Sequence, residues 1–176
     1  MRAIKMALAA GVVCFAPIAA THSAQDEGTA LQGIFVNDGQ ASYIIANAVD
    51  AAVAKMNFIK RPIARSRLKK TNPLYERIEI SRTGSTISIK FDAGKPVLMP
   101  ADGTPAKWTR ADGEQFDVTG RLEGDQLVQT FTAEDGKRVN IFSVSADGKL
   151  LLQVMLTSPQ LPEAVRYQLA YRRESR

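Results

Sequence analysis

Residues 77–91, RIEISRTGSTISIKF, decide the fold class. Ile78 and Ile80 alternate with Arg77, Glu79 and Ser81, and Ile87, Ile89 and Phe91 alternate with Thr86, Ser88 and Lys90. A period of two gives each segment one face for a core and one for water, which is the signature of a strand. Between them Thr83-Gly84 supplies a turn, because glycine enters the left-handed backbone region without a Cβ penalty. The unit reads as an antiparallel hairpin.

Toward the C-terminus the same design recurs. Apolar or alternating runs at 96–99, 106–110, 115–122, 126–132, 138–145, 150–157 and 164–173 are separated by Asp102-Gly103, Asp112-Gly113, Gly124-Asp125, Asp135-Gly136 and Asp147-Gly148. Connections this short join strands that are neighbours in sequence, so an up-and-down meander is expected. Toward the N-terminus, Leu31 to Val36 reads as one more strand, broken by Asn37-Asp38-Gly39. Gln40 to about Lys60 then carries Ile44, Ile45, Ala48, Val49, Ala52, Val53 and Met56 at helical spacing. Pro62 either ends that helix or starts a second short one through Leu68, and Asn72-Pro73 closes the segment. The expected fold is mainly β: one antiparallel up-and-down β-barrel of about 8–10 strands, with one helical segment between the first and second strands.

Residues 1–24 have the layout of an export signal: Arg2 and Lys5, an apolar run from Met6 to Ala20, then small residues around Ser23 and Ala24. The run is about fifteen residues, short of the roughly twenty that span a bilayer. Val13 is bulkier than the residue that precedes a lipid-anchored cysteine, so Cys14 is not read as an anchor. Cleavage after Ala24 is expected, leaving 25–176 as one barrel domain, periplasmic or secreted. It also removes Cys14 and His22, which are the single cysteine and the single histidine of the chain. Nucleophiles that need histidine, thiolate or imidazole metal sites, and histidine-ligated haem are thereby excluded. The carboxylate pairs Asp112/Glu114 and Glu134/Asp135 fall at expected turns, where acids serve the backbone. Neither an enzyme nor a metal nor a cofactor is expected.

Charge is uneven. Lys55, Lys60, Arg61, Arg65, Arg67, Lys69 and Lys70 form a run with no acid between Asp50 and Glu76. Lys60, Arg61, Arg65, Arg67, Lys69 and Lys70 are candidates for contact with an anionic lipid or envelope surface, or else the solvated end of a helix whose dipole they complement. The run has no series of aromatics on which bases would stack, so nucleic acid is not expected.

Leu31-Gln32-Gly33-Ile34-Phe35 on the first strand and Tyr171-Arg172-Arg173 on the last frame an order of one strand, a helical segment and nine further strands. This order resembles the calycin barrels, and in particular the fatty-acid-binding-protein-like arrangement, in which helices cover the barrel mouth. Lipocalins place Gly-x-Trp on the first strand and a basic residue near the closing strand; here Phe35 stands where the tryptophan would be. The last strand also departs from the Arg-x-Tyr order of intracellular fatty-acid binders, since Arg166 is followed two residues on by Gln168. The resemblance implies a lipocalin-like binding protein for a hydrophobic small molecule, a fatty acid or lipid. Under that reading Ile45, Val49 and Met56 form the inner face of the cap. Gln129 and Phe131 on one strand, and Ile141 and Ser143 on the next, line the interior with mixed apolar and hydrogen-bonding groups. Tyr167, Tyr171 and Arg173 share a face of the last strand and offer an anchor for an acidic head group. The alternatives are a packed barrel with a basic docking surface, and tyrosines that serve only as core aromatics.

Overall fold

The computed structural model describes residues 28–39 and 41–174; the expected export signal, with Cys14 and His22, lies outside the described residues. Ten strands and two helices follow in order: β1 Gly33–Asn37, α1 Ala41–Val53, α2 Lys60–Thr71, β2 Arg77–Thr83, β3 Thr86–Phe91, β4 Val97–Pro100, β5 Ala106–Thr109, β6 Gln115–Glu123, β7 Gln126–Ala133, β8 Gly136–Val144, β9 Leu150–Thr157 and β10 Val165–Arg173. One sheet contains them all, in the order β4-β3-β2-β1-β10-β9-β8-β7-β6-β5. Its neighbours pair antiparallel. The meander thus curls until β1 meets β10 and leaves a single unladdered seam where β4 approaches β5 and β6. Met99 fills that seam, and it fits because Gly120 faces it: a Cβ at Gly120 would stand 2.6 Å from the Met99 Cγ.

Alternation puts the apolar set inside. Phe35, Ile78, Ile89, Leu127, Phe142, Leu152 and Tyr171 are almost wholly inaccessible and fill the end of the barrel that carries the tight hairpins. At that end Arg173 folds back over the Phe35 ring, 4.6 Å from its centroid. It donates to the Gln32 carbonyl at 2.7 Å and the Ala30 carbonyl at 2.5 Å. Gly33 makes room for it: φ is +144° there, and a Cβ would run into the guanidinium. Phe35 and Arg173 therefore do pair across the closing strands. Arg173 itself is exposed and holds the closed end, so the expectation that it lines the interior is corrected.

The helical segment consists of two helices, the second of them running past Pro62 and Leu68. α1 ends at Val53, and a turn through Met56 and Asn57 leads to α2 at Lys60. Pro62 is accommodated in the first turn of α2, where its missing N–H would have no partner anyway. α1 lies against β10. The outward residues Arg166, Gln168 and Arg172 of β10 are exposed, so the helix meets its inward face, and Ile45, Val49, Ala52 and Val53 enter the same buried cluster as Tyr167, Leu169 and Tyr171. α1 is a plug. α2 buries only Leu68.

Candidate ligand-binding cavity

Because α1 fills the side of the barrel near β10, space remains on the opposite side under α2. The inner side of α2 offers Ala64, Leu68 and Thr71, spaced to share one face, with Arg67 beside them, and these leave it unfilled. The result is a cavity of about 950 Å³ that opens among α2 and the connections at 92–96, 110–114, 134–135 and 158–164. It is at the upper end of the few hundred to roughly 1,000 Å³ usual for small-molecule sites. The barrel is hollow, and the packed-barrel alternative does not hold.

One wall is aromatic. Trp108 and Phe116 are cross-strand partners, and Phe131 reaches the same patch from β7. Ring centroids are 5.8 Å apart for Trp108–Phe116, 5.5 Å for Trp108–Phe131 and 5.9 Å for Phe116–Phe131, in tilted and edge-on geometries that aromatic quadrupoles favour. Across the cavity Tyr75 and Phe91 stack at 4.4 Å. Val97, Leu156 and Leu161 add apolar surface.

Arg67, Lys95, Arg110, Glu114, Asp135 and Lys137 are charged residues of the lining, and one connected polar chain runs behind the wall from Arg138. Arg138 projects inward from β8, donating from Nε to Asn140 Oδ1 at 2.9 Å, from one terminal nitrogen to Asn72 Oδ1 at 3.1 Å and from the other to the Tyr167 hydroxyl at 3.3 Å. Asn140 donates on to Gln129 Oε1 at 2.9 Å, and Gln129 reaches the Met99 sulfur. Tyr167 donates to Asn72 Oδ1 at 3.3 Å. Burial pushes the Tyr167 hydroxyl pKa up, against the pull of Arg138, so it is a neutral donor at neutral pH. Every partner of Arg138 is uncharged, and among the described residues it forms no ion pair. This permanently charged guanidinium is half-buried and lines the cavity with no ion-pair partner among the described residues.

The structure redistributes the expected site. Met56 and Phe131 line the cavity. Gln129 and Tyr167 stand behind it, tied to its wall through Asn140 and Arg138. Ile45 and Val49 do not reach it, because they are spent on plugging the barrel beside β10. Tyr171 is buried in the core with no partner for its hydroxyl, whose pKa burial drives far up. Ile141 and Ser143 are on the wrong face. Phe142, Asn140 and Arg138 pair with Leu127, Gln129 and Phe131, so those three point inward and their neighbours point out. Arg138, Asn140, Asn72 and Trp108 are the residues that sequence reasoning missed. Asn72 offered one signal, since it stands before Pro73 where a helix must stop.

Of the six basic candidates, three are engaged within the protein. Arg61 donates to the Met56 carbonyl at 2.9 Å, Arg65 pairs with Asp50 at 2.8 Å, and Arg67 pairs with Asp135 at 3.4 Å. These links tie α2 to α1 and to the β7–β8 turn. Lys60, Lys69 and Lys70 are exposed, and so are Phe58 and Ile63, at 78% and 69%.

No family model matches the sequence, and no curated protein sequence does. Solved structures do match. The chain is similar to the REP1-NXSQ fatty acid transporter, with a TM-score of 0.53 and 15% identity over 83% of this chain and 97% of that one. It is similar to the zebrafish ileal bile acid-binding protein complexed with cholic acid, with a TM-score of 0.53 and 13% identity over 83% of this chain and all of that one (100%). A third likeness is to the fluorescent protein UnaG, at a TM-score of 0.50 and 15% identity over 84% of this chain and 98% of that one. At such identities what is shared is architecture, a ten-stranded barrel with helices between its first two strands.

Proposed function

We propose that this protein binds a mostly apolar small molecule with an acidic head group, such as a fatty acid or a bile-acid-like compound, in the cavity under α2. The observation that carries the reading is Arg138, a half-buried cation with no ion-pair partner among the described residues, in a cavity whose wall includes Trp108, Phe116, Phe131, Phe91 and Leu156. The ligands named for the structural neighbours, fatty acid and cholic acid, have this combination of apolar bulk and carboxylate. Nothing in the cavity calls for a reaction step, and the function is carriage. Export is part of the proposal, on the layout of residues 1–24.

Trp108 is the only tryptophan and sits on the cavity wall, so it reports occupancy directly. Hexadecanoate and hexadecanol should each change its emission saturably, with the acid bound more tightly. Arg138→Met should weaken hexadecanoate by roughly 10- to 100-fold and leave hexadecanol unchanged, since a charge-assisted hydrogen bond is worth about 1.5–3 kcal/mol. Acid binding that survives this substitution would remove the head-group assignment. No response to either compound would remove the carrier reading.

A second reading concerns where the ligand comes from. Phe58, Ile59 and Ile63 are exposed beside Lys60 at the start of α2, and Lys69 and Lys70 are exposed near its other end, about 15 Å further along the helix. We infer that this surface touches anionic bilayers. Each lysine near such a surface contributes about 1 kcal/mol. Changing all three to Glu should therefore abolish sedimentation with vesicles containing phosphatidylglycerol, and high salt should weaken the wild type. Equal binding to zwitterionic vesicles, or indifference to the charge reversal, would count against it.

A further inference from the structure

Asn72 occupies two positions at once. It is the C-cap of α2, donating from Nδ2 to the Leu68 carbonyl at 2.9 Å while its backbone N–H donates to the same oxygen at 3.0 Å. Its own Oδ1 is the acceptor for Arg138 at 3.1 Å and for the Tyr167 hydroxyl at 3.3 Å. It is only 2% exposed, and Pro73 follows, so no further helical turn can take over the cap. Arg138 and Tyr167 thus link the end of the lid to the barrel wall.

We propose that Asn72 is a latch that the ligand's head group opens: an anion entering the cavity takes the Arg138 donors now held by Asn72 and by Tyr167, Tyr167 turns from Asn72 to the anion, and the last turn of α2 is released. The proposal rests on the acidic-ligand reading above and adds a mechanical consequence to it. A carboxylate takes two guanidinium N–H groups side by side and is a much stronger acceptor than a neutral amide. Two of Arg138's three bonds are long, at 3.1 and 3.3 Å, and both lead to the Asn72–Tyr167 pair. The short one, at 2.9 Å, leads to Asn140, which is fixed in turn by Gln129 on the sheet. The weaker, lid-side bonds yield first. Tyr167, once freed from Asn72, is placed to donate to the incoming anion.

Little else holds this end down. Leu68 is the single buried apolar residue of α2, and the Arg67–Asp135 pair is largely solvated. Coupling of this kind is reciprocal: if the anion displaces Asn72, then Asn72 weakens the anion by the same factor.

Two substitutions separate the latch from a merely structural cap. Asn72→Ala removes the competitor and should tighten hexadecanoate by roughly tenfold; Asn72→Asp installs a permanent rival carboxylate and should weaken it by tenfold or more. Hexadecanol, with no charge to contest Arg138, should bind all three proteins alike. In wild-type protein, amide hydrogen exchange of residues 69–74 should be faster with hexadecanoate bound than with hexadecanol bound. If both variants move acid and alcohol together, or if the two ligands protect residues 69–74 equally, Asn72 is a cap and not a latch. If neither ligand binds the wild type, the carrier reading itself fails and the latch with it.

Discussion

Aspartate in place of Val53 should cost the fold on the order of 4 kcal/mol, a large share of the total stability of a domain this size. Val53 is completely inaccessible, in the last turn of α1, among Val49, Ala52 and the inward residues of β10. A carboxylate there would be buried with no cation beside it, and it would sit at the negative end of the helix dipole. Asn47→Asp, on the exposed side of the same helix, should shift a urea midpoint barely at all. The contrast tests the placement of α1 as a plug. Small and equal shifts at both positions would mean that the helix lies outside the barrel.

Valine at Gly33 should be the next most damaging single change, at about 3 kcal/mol. The backbone there has φ +144°, a conformation that a β-branched residue adopts only with strain of about 1–3 kcal/mol. Its side chain would also evict Arg173 from its stack on Phe35 and from the carbonyls of Ala30 and Gln32. Arg173→Ala alone should cost about 1 kcal/mol, because the guanidinium is exposed and its bonds are shared with solvent. In that background the Gly33→Val penalty should shrink, since the clash partner is gone. Strict additivity in chemical denaturation would show that the two positions do not meet.

The strand order was legible because it rests on period two and on turn chemistry, both local. Runs read at 115–122, 126–132 and 150–157 appear as β6 Gln115–Glu123, β7 Gln126–Ala133 and β9 Leu150–Thr157, and the hairpin at 77–91 is β2 and β3. The helical segment was legible as apolar periodicity, yet its division at Val53 was not: Met56, Phe58 and Ile59 continue the apolar run while the chain turns. β8 misled for a more informative reason. Its apolar residues Val139 and Ile141 face outward and its polar residues Arg138 and Asn140 face inward. The rule that apolar means inside inverts where polar groups line a cavity, and it inverted at Arg138 and Asn140. Arg173 failed as an anchor because its face lies beyond the end of the cavity, a matter of level along the strand that alternation cannot express.

The seam between β4 and β5 bears on how the barrel can deform. Everywhere else around the circumference, widening the wall means breaking ladder hydrogen bonds. At the seam the closure is the flexible thioether of Met99 lying on Gly120, with one isolated bridge between Asp102 and Arg121 near the closed end. A methionine can change rotamer at little cost. The seam is therefore the one part of the wall that can part without breaking a strand ladder.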